Sequence, residues 1–110
     1  MEMKKHTPFR LTKVGYHKLC KLVDKRDGGC IICRRPNVQH HHIIFRSEGG
    51  EDRLENLVSL CPRCHEIYAH GDNKHLWQSE FKKYISWPVC KRFEASHRKE
   101  LAVIYKLKEG

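Results

Sequence analysis

Two cysteine pairs, Cys30-Ile-Ile-Cys33 and Cys61-Pro-Arg-Cys64, constrain this chain more than any other feature. Each CxxC turn presents two sulfurs on one short loop. Two such turns supply the four thiolates that a tetrahedral zinc ion takes at ~2.3 Å. Disulfides would require an oxidising compartment, and a redox CxxC would require a thioredoxin-like βαβ setting that the pattern lacks. Cys30, Cys33, Cys61 and Cys64 are therefore expected to hold one structural Zn2+, in a closed site that catalyses nothing itself. Cys20 falls on the apolar face of a helical pattern and reads as a core thiol, and Cys90 as a free thiol. A metal staple suits a chain of 110 residues, which buries a limited share of its surface.

The charge points to a polyanion. The net charge is +9, with Lys and Arg gathered towards both ends and Glu48, Glu51, Asp52 and Glu55 in the middle. Nucleic acid is the favoured partner; the plainer reading is a solvated basic surface. The N-terminal stretch MEMKKHTPFRLTK has no apolar signal core, and no apolar run approaches the ~20 residues of a membrane span. These features predict a cytoplasmic protein with no membrane partner.

Along the chain, residues 1–10 read as a loose basic arm. Thr12 can cap a helix in which Tyr16, Leu19, Cys20 and Val23 share a face, and Asp27-Gly28-Gly29 ends it. A strand is expected over 38–45 and a second around Leu57, Val58 and Leu60. Pro62 suits the start of a short helix and Gly71 the residue beyond its end. Asp72 or Asn73 can begin a further helix carrying Trp77, Phe81, Tyr84 and Ile85, which Trp87-Pro88 breaks. A last helix over 92–108 would align Phe93, His97, Leu101 and Ile104.

The strings RDGGCIIC and HHIIFRSEGGEDRLENLVSLCPRCH closely resemble the HNH endonuclease family with its ββα-metal fold. The resemblance covers roughly residues 20–71. It implies a small α+β zinc-stabilised domain: a ββα-metal core with flanking helices, one domain over 1–110, and a C-terminal helical extension over 72–110. It also implies a metal-dependent DNA endonuclease that hydrolyses phosphodiester bonds to 5′-phosphate and 3′-hydroxyl ends. In that reading His42 is the general base, His41 and His65 bind the catalytic cation, and Asn56 holds the loop or orients the base. Imidazole suits the base role because it titrates near neutrality.

Two departures from the family pattern matter. Many relatives carry an acidic residue where His41 stands. An all-imidazole set is softer and suits Zn2+, Ni2+ or Mn2+ alongside Mg2+. Many also carry a further His four residues beyond the one matching His65; here that position is Ala69 and the next is His70. A spacing of five is poor on an α-helix, so His70 stands between ligand and helix-end surface residue. Neighbouring strand residues point to opposite faces, so His41 and His42 serve one centre only if the strand bends. His40 is the ambiguous member of the run, a phosphate or metal contact or a partly exposed neighbour. His6, His17, His75 and His97 are assigned no catalytic part.

Arg46 and Arg63 flank the expected site and could grip phosphates, or could be ordinary surface charge. Alternatives to a nuclease are a noncatalytic zinc-binding nucleic-acid module, or a phage- or element-borne nuclease partnering a terminase or replication protein. Cleavage of both strands would need a homodimer or sequential nicks.

Overall fold

The computed structural model of the chain describes residues 7–109. Thr12 begins helix α1 (Lys13–Asp27) as expected: its hydroxyl accepts the Gly15 N–H at 3.2 Å, a cap worth ~1 kcal/mol. Gly28 ends it with φ 66°, a left-handed conformation that glycine adopts without a Cβ clash. The knuckle of Cys30 follows. Strands β1 (Gln39–His42) and β2 (Leu57–Leu60) then pair antiparallel, with His41 opposite Val58 and His42 opposite Leu57. The expected strand over 38–45 stops at His42, because the backbone of Ile43 and Ile44 turns to meet Asn56.

The segment after β2 starts at Pro62 in a turn of α-helix, α2 (Pro62–Cys64), and continues as a π turn over His65–Ala69. Helices α3 (Lys74–Ile85), α4 (Pro88–Ser96) and α5 (Arg98–Tyr105) complete the chain. The single helix expected over 92–108 is broken at His97, whose backbone leaves the helical region at φ −110° and ψ 18°. The described residues form a small α+β domain built around a two-stranded sheet, five helices and a cysteine cluster.

Strand β2 is buried along its whole length, because each face has its own core. Leu57 packs with Leu19, Leu22 and Val23 of α1 and with Leu101 and Ile104 of α5. Val58 and Leu60 pack with Cys30, Cys61, Cys64, Ala69 and Phe81. Helix α1 is locked to both by a buried ion pair. Arg26 Nε donates to Asp27 Oδ1 at 2.7 Å, and its other nitrogens reach the carbonyls of Leu54 and Leu57. The Asp27 carboxylate also accepts the Ser59 N–H at 2.8 Å and the Tyr84 hydroxyl at 2.7 Å. Both carboxylate oxygens are thus hydrogen-bonded, which a buried ion pair needs to offset its desolvation.

Phe9 and Arg10, expected in a loose arm, are pinned. Phe9 N–H donates to Glu51 Oε2 at 2.6 Å, Arg10 reaches the Gly50 carbonyl, and Phe9 meets Tyr105 edge to face. The remainder of the expected arm, residues 1–6 with His6, lies outside the described residues. No helix among the described residues is long and apolar enough to cross a membrane.

Candidate metal centre and general base

The four cysteines of the two CxxC turns come together, their sulfurs all within 4.8 Å of one another. Cys33 Sγ and Cys61 Sγ are 3.5 Å apart, and Cys61 Sγ accepts the Cys64 N–H at 3.4 Å. All six cysteines are free thiols. Burial opposes the Cys30 thiolate, but backbone N–H groups of Cys33, Cys61 and Ile32 outweigh it and bring the thiol down to about 6. Such a group is a thiolate at neutral pH, the form that binds zinc. Burial and the neighbouring cysteines push the Cys64 thiol the other way, so it is the gathering of four sulfurs that fits a closed, tetrahedral zinc site. Cys20 and Cys90 are buried elsewhere in the fold.

A second cluster lies beyond the first strand. His41 Nδ1 stands 3.2 Å from His65 Nε2, and His65 Nε2 stands 3.1 Å from His70 Nε2. All three rings offer a nitrogen within the same 4.8 Å. The π turn brings His70 into this set. The His70 N–H bonds to the His65 carbonyl at 3.2 Å, an i→i+5 bond that turns the two side chains to one side. An α-helical spacing of five would have turned them apart, so the physical objection raised by the sequence disappears with the change of helix type. Gly71 permits the tight exit: a Cβ there would sit 2.0 Å from the Ile67 carbonyl oxygen.

The three nitrogens fit a shared cation. A neutral imidazole carries one N–H, so His65 Nε2 can donate to one of its two neighbours at most. Nitrogens bound at ~2.1 Å to one ion sit ~3.0–3.4 Å apart, which matches the observed pair distances. Burial pushes the His41 imidazole down to about 3, aided by His65 and His70. Burial also lowers His65, with His70 contributing. Neutral imidazole is the ligating form.

His42 takes the opposite face of β1. His40 and His42 look towards α1, where His40 Nε2 meets Asp24 Oδ1 at 2.6 Å. His42 Nε2 lies 2.9 Å from Asp52 Oδ1. Its ring is parallel to that of Tyr16, centroids 5.9 Å apart. Burial lowers the His42 pKa, Asp52 raises it and Arg46 lowers it, for a net decrease. The two residues keep their strand register, His41 opposite Val58 and His42 opposite Leu57. His41 and His42 nonetheless line the same cleft. The cleft measures about 450 Å³ and is lined by His40, His41, His42, Phe45, Arg46, Ser47, His65 and His70.

Residues 30–71 match the family model described as HNH endonuclease. This stretch is an HNH-family domain. Over 47 residues the chain is 40% identical to anaredoxin from Nostoc sp., covering 41% of this chain and 62% of that protein. Over 38 residues it is 42% identical to the type IV methyl-directed restriction enzyme EcoKMcrA of Escherichia coli, covering 34% of this chain and 14% of that enzyme. The chain thus spans less than two thirds of either relative. No solved structure matches it.

The HNH domain places the remaining residues singled out in the sequence as follows. Asn56 is buried and spends its amide on backbone: Oδ1 accepts the Ile44 N–H at 2.8 Å, while Nδ2 donates to the carbonyls of Ile44 at 3.2 Å and Glu51 at 3.0 Å. It clamps the 44–51 loop. Arg46 lies at the cleft, its Nη2 3.1 Å from Asp52 Oδ1 and its guanidinium 5.3 Å from the centre of the Tyr16 ring. Arg63 is exposed beside the zinc knuckles with Cys33 and Cys64, apart from the residues lining the histidine cleft. Sequence reasoning misses the parts played by Asp52 and Tyr16. Asp52 reads as one member of an acidic loop; the signal that sets it apart, full burial, is absent from composition. Gln78 on α3 is missed as well: its amide donates to the Ile43 carbonyl at 2.7 Å and fixes the end of β1.

Proposed function

We propose that this chain is a metal-dependent DNA endonuclease in which His42 is the general base and His41, His65 and His70 hold the catalytic cation. The observation that carries the reading is that three mutually facing imidazole nitrogens and a fourth, separately held imidazole open onto one cleft. A noncatalytic zinc module needs the cysteine frame but has no use for that second set. The four-cysteine site would hold Zn2+ as a structural ion.

When bound, a divalent cation would supply positive charge to the scissile phosphate and to the departing 3′ oxygen. Its identity is drawn from Mg2+, Mn2+, Ni2+ and Zn2+, and three imidazoles favour the transition metals. The protein residues act around that charge. His42 removes a proton from a water as the water oxygen bonds to phosphorus. The bond from phosphorus to the 3′ oxygen breaks, and that oxygen gains a proton from solvent. The products carry a 5′-phosphate and a 3′-hydroxyl. Arg46, half exposed at the rim, can pair with a phosphate oxygen. Asn56 keeps the loop that carries Arg46 in place.

DNA as substrate is supported by the net charge of +9 and by the likeness to a methyl-directed restriction enzyme. Supercoiled plasmid incubated with the protein and Mg2+, Mn2+, Ni2+ or Zn2+ is expected to be nicked, with EDTA stopping the reaction. DNA binding without cleavage under every metal would sink the nuclease reading in favour of the binding module.

A further inference from the structure

We propose that Asp52 is a positioning residue for the base, holding the His42 imidazole in the tautomer that carries its proton on Nε2 and leaves Nδ1 to accept one. This rests on the reading of His42 as the base. The Asp52 side chain is fully buried, at 0% exposure, and His42 is 11% exposed. Its Oδ2 accepts the Leu11 N–H at 2.9 Å. Its Oδ1 faces His42 Nε2 at 2.9 Å and Arg46 Nη2 at 3.1 Å. The Leu11 N–H, His42 and Arg46 together outweigh burial and hold the carboxyl below its ordinary range. An ionised carboxylate only accepts, so at this distance the proton must sit on Nε2. Arg46 Nε lies 3.4 Å from the same nitrogen. Its N–H is aimed at that nitrogen, and an Nε2 that donates to Asp52 cannot also accept it; the shorter contact, to an ionised carboxylate, decides between the two. His42 Nδ1 makes no hydrogen bond with the described residues, and the ring lines the cleft.

The carboxylate is itself held from outside the HNH match at residues 30–71. Asp52 N–H donates to the Phe9 carbonyl at 3.0 Å, and Leu11 N–H returns the bond to its side chain. The parallel Tyr16 ring restricts rotation of the imidazole from α1. The base is thus oriented by residues 9–16 through Asp52, the arrangement a general base needs when a third group fixes its tautomer.

Asp52→Asn is the test, because the amide has the shape of the carboxylate. Its oxygen can still accept from Leu11, which turns its NH2 towards His42 and forces Nε2 to become the acceptor. The proton then moves to Nδ1 and blocks the base nitrogen. The expected result is a kcat for plasmid nicking lower by ~100-fold or more, with DNA affinity changed less than ~3-fold and zinc content unchanged. Nitrogen-15 NMR of labelled histidine, with His42 assigned by its loss in His42→Ala, should show the Nε2–H tautomer in the wild type and Nδ1–H in Asp52→Asn. In a His42→Ala background Asp52→Asn should add no further loss. A wild-type spectrum with the proton on Nδ1 overturns the proposal, whether or not the variant folds. So does a wild-type kcat in Asp52→Asn while His42→Ala is inactive. An active His42→Ala would instead remove the base reading itself.

Discussion

His70 becomes a ligand candidate through one backbone hydrogen bond. The bond from its N–H to the His65 carbonyl converts an unhelpful spacing into a shared face, so that His65 Nε2 and His70 Nε2 stand 3.1 Å apart. His70→Ala should therefore weaken the cation and spare the zinc. Nicking rates titrated against Mn2+ are expected to need at least ~10-fold more metal for half-maximal activity, with one zinc per chain retained. An unchanged titration would place His70 outside the set. His41 supports a second prediction. Burial holds its imidazole neutral down to about 3, whereas an unfolded histidine titrates near ~6.5. The folded state binds fewer protons across that window, so this contribution to stability is full above ~6.5 and is lost as pH falls towards 3. Urea midpoints measured from pH 7 to 5 without added divalent cation should decline, and His41→Phe should decline less. Equal slopes would contradict the assignment.

At the scale of elements, the sequence made α1, its Thr12 cap, the Gly28 stop, the cysteine knuckles and β2 legible, because each rests on local chemistry. The periodicity of 3.6 and the turn residues carry that information in a few neighbouring positions. The π turn over His65–Ala69 was not legible. Cys61 and Cys64 at its start, Ala69 at its end and Phe81 of α3 share one buried core, a tertiary arrangement that leaves no local signature. The break at His97 was equally hidden, since residues 92–108 keep a helical pattern throughout. Gly71 offers a check on the π turn. With the Ile67 oxygen 2.0 Å from where a Cβ would lie, Gly71→Ala must displace the backbone at the exit. We expect a loss of stability of ~1–3 kcal/mol and a weaker cation site. A melting temperature equal to that of the wild type would show that the exit can relax.

For the whole molecule, the terminal segments are parts of the site's support. Residues 72–110 read as an extension, yet Leu101 and Ile104 share a core with α1, and Gln78 holds the end of β1. Residues 7–10 read as part of an arm, yet Phe9 bonds to Glu51 across 42 positions and Arg10 to Gly50 across 40. Such contacts join residues far apart in sequence, and a polar stretch with one aromatic gives no period from which to infer them. The charge remains a property of the whole surface. If its Lys and Arg residues track DNA phosphates, log Kd should rise linearly with log salt, with a slope near one per phosphate contacted. Fluorescence anisotropy on a labelled duplex between 50 and 200 mM salt, roughly a thousandfold effect for six contacts, measures it; a flat response would remove the electrostatic part of the account. The central claim is narrower, that His42 is the base beside a three-histidine cation site. Supercoiled plasmid nicked by the wild type and by His42→Ala at saturating Mn2+ tests it directly. The account predicts a rate at least ~100-fold lower for the variant with DNA binding intact, and equal rates would contradict it.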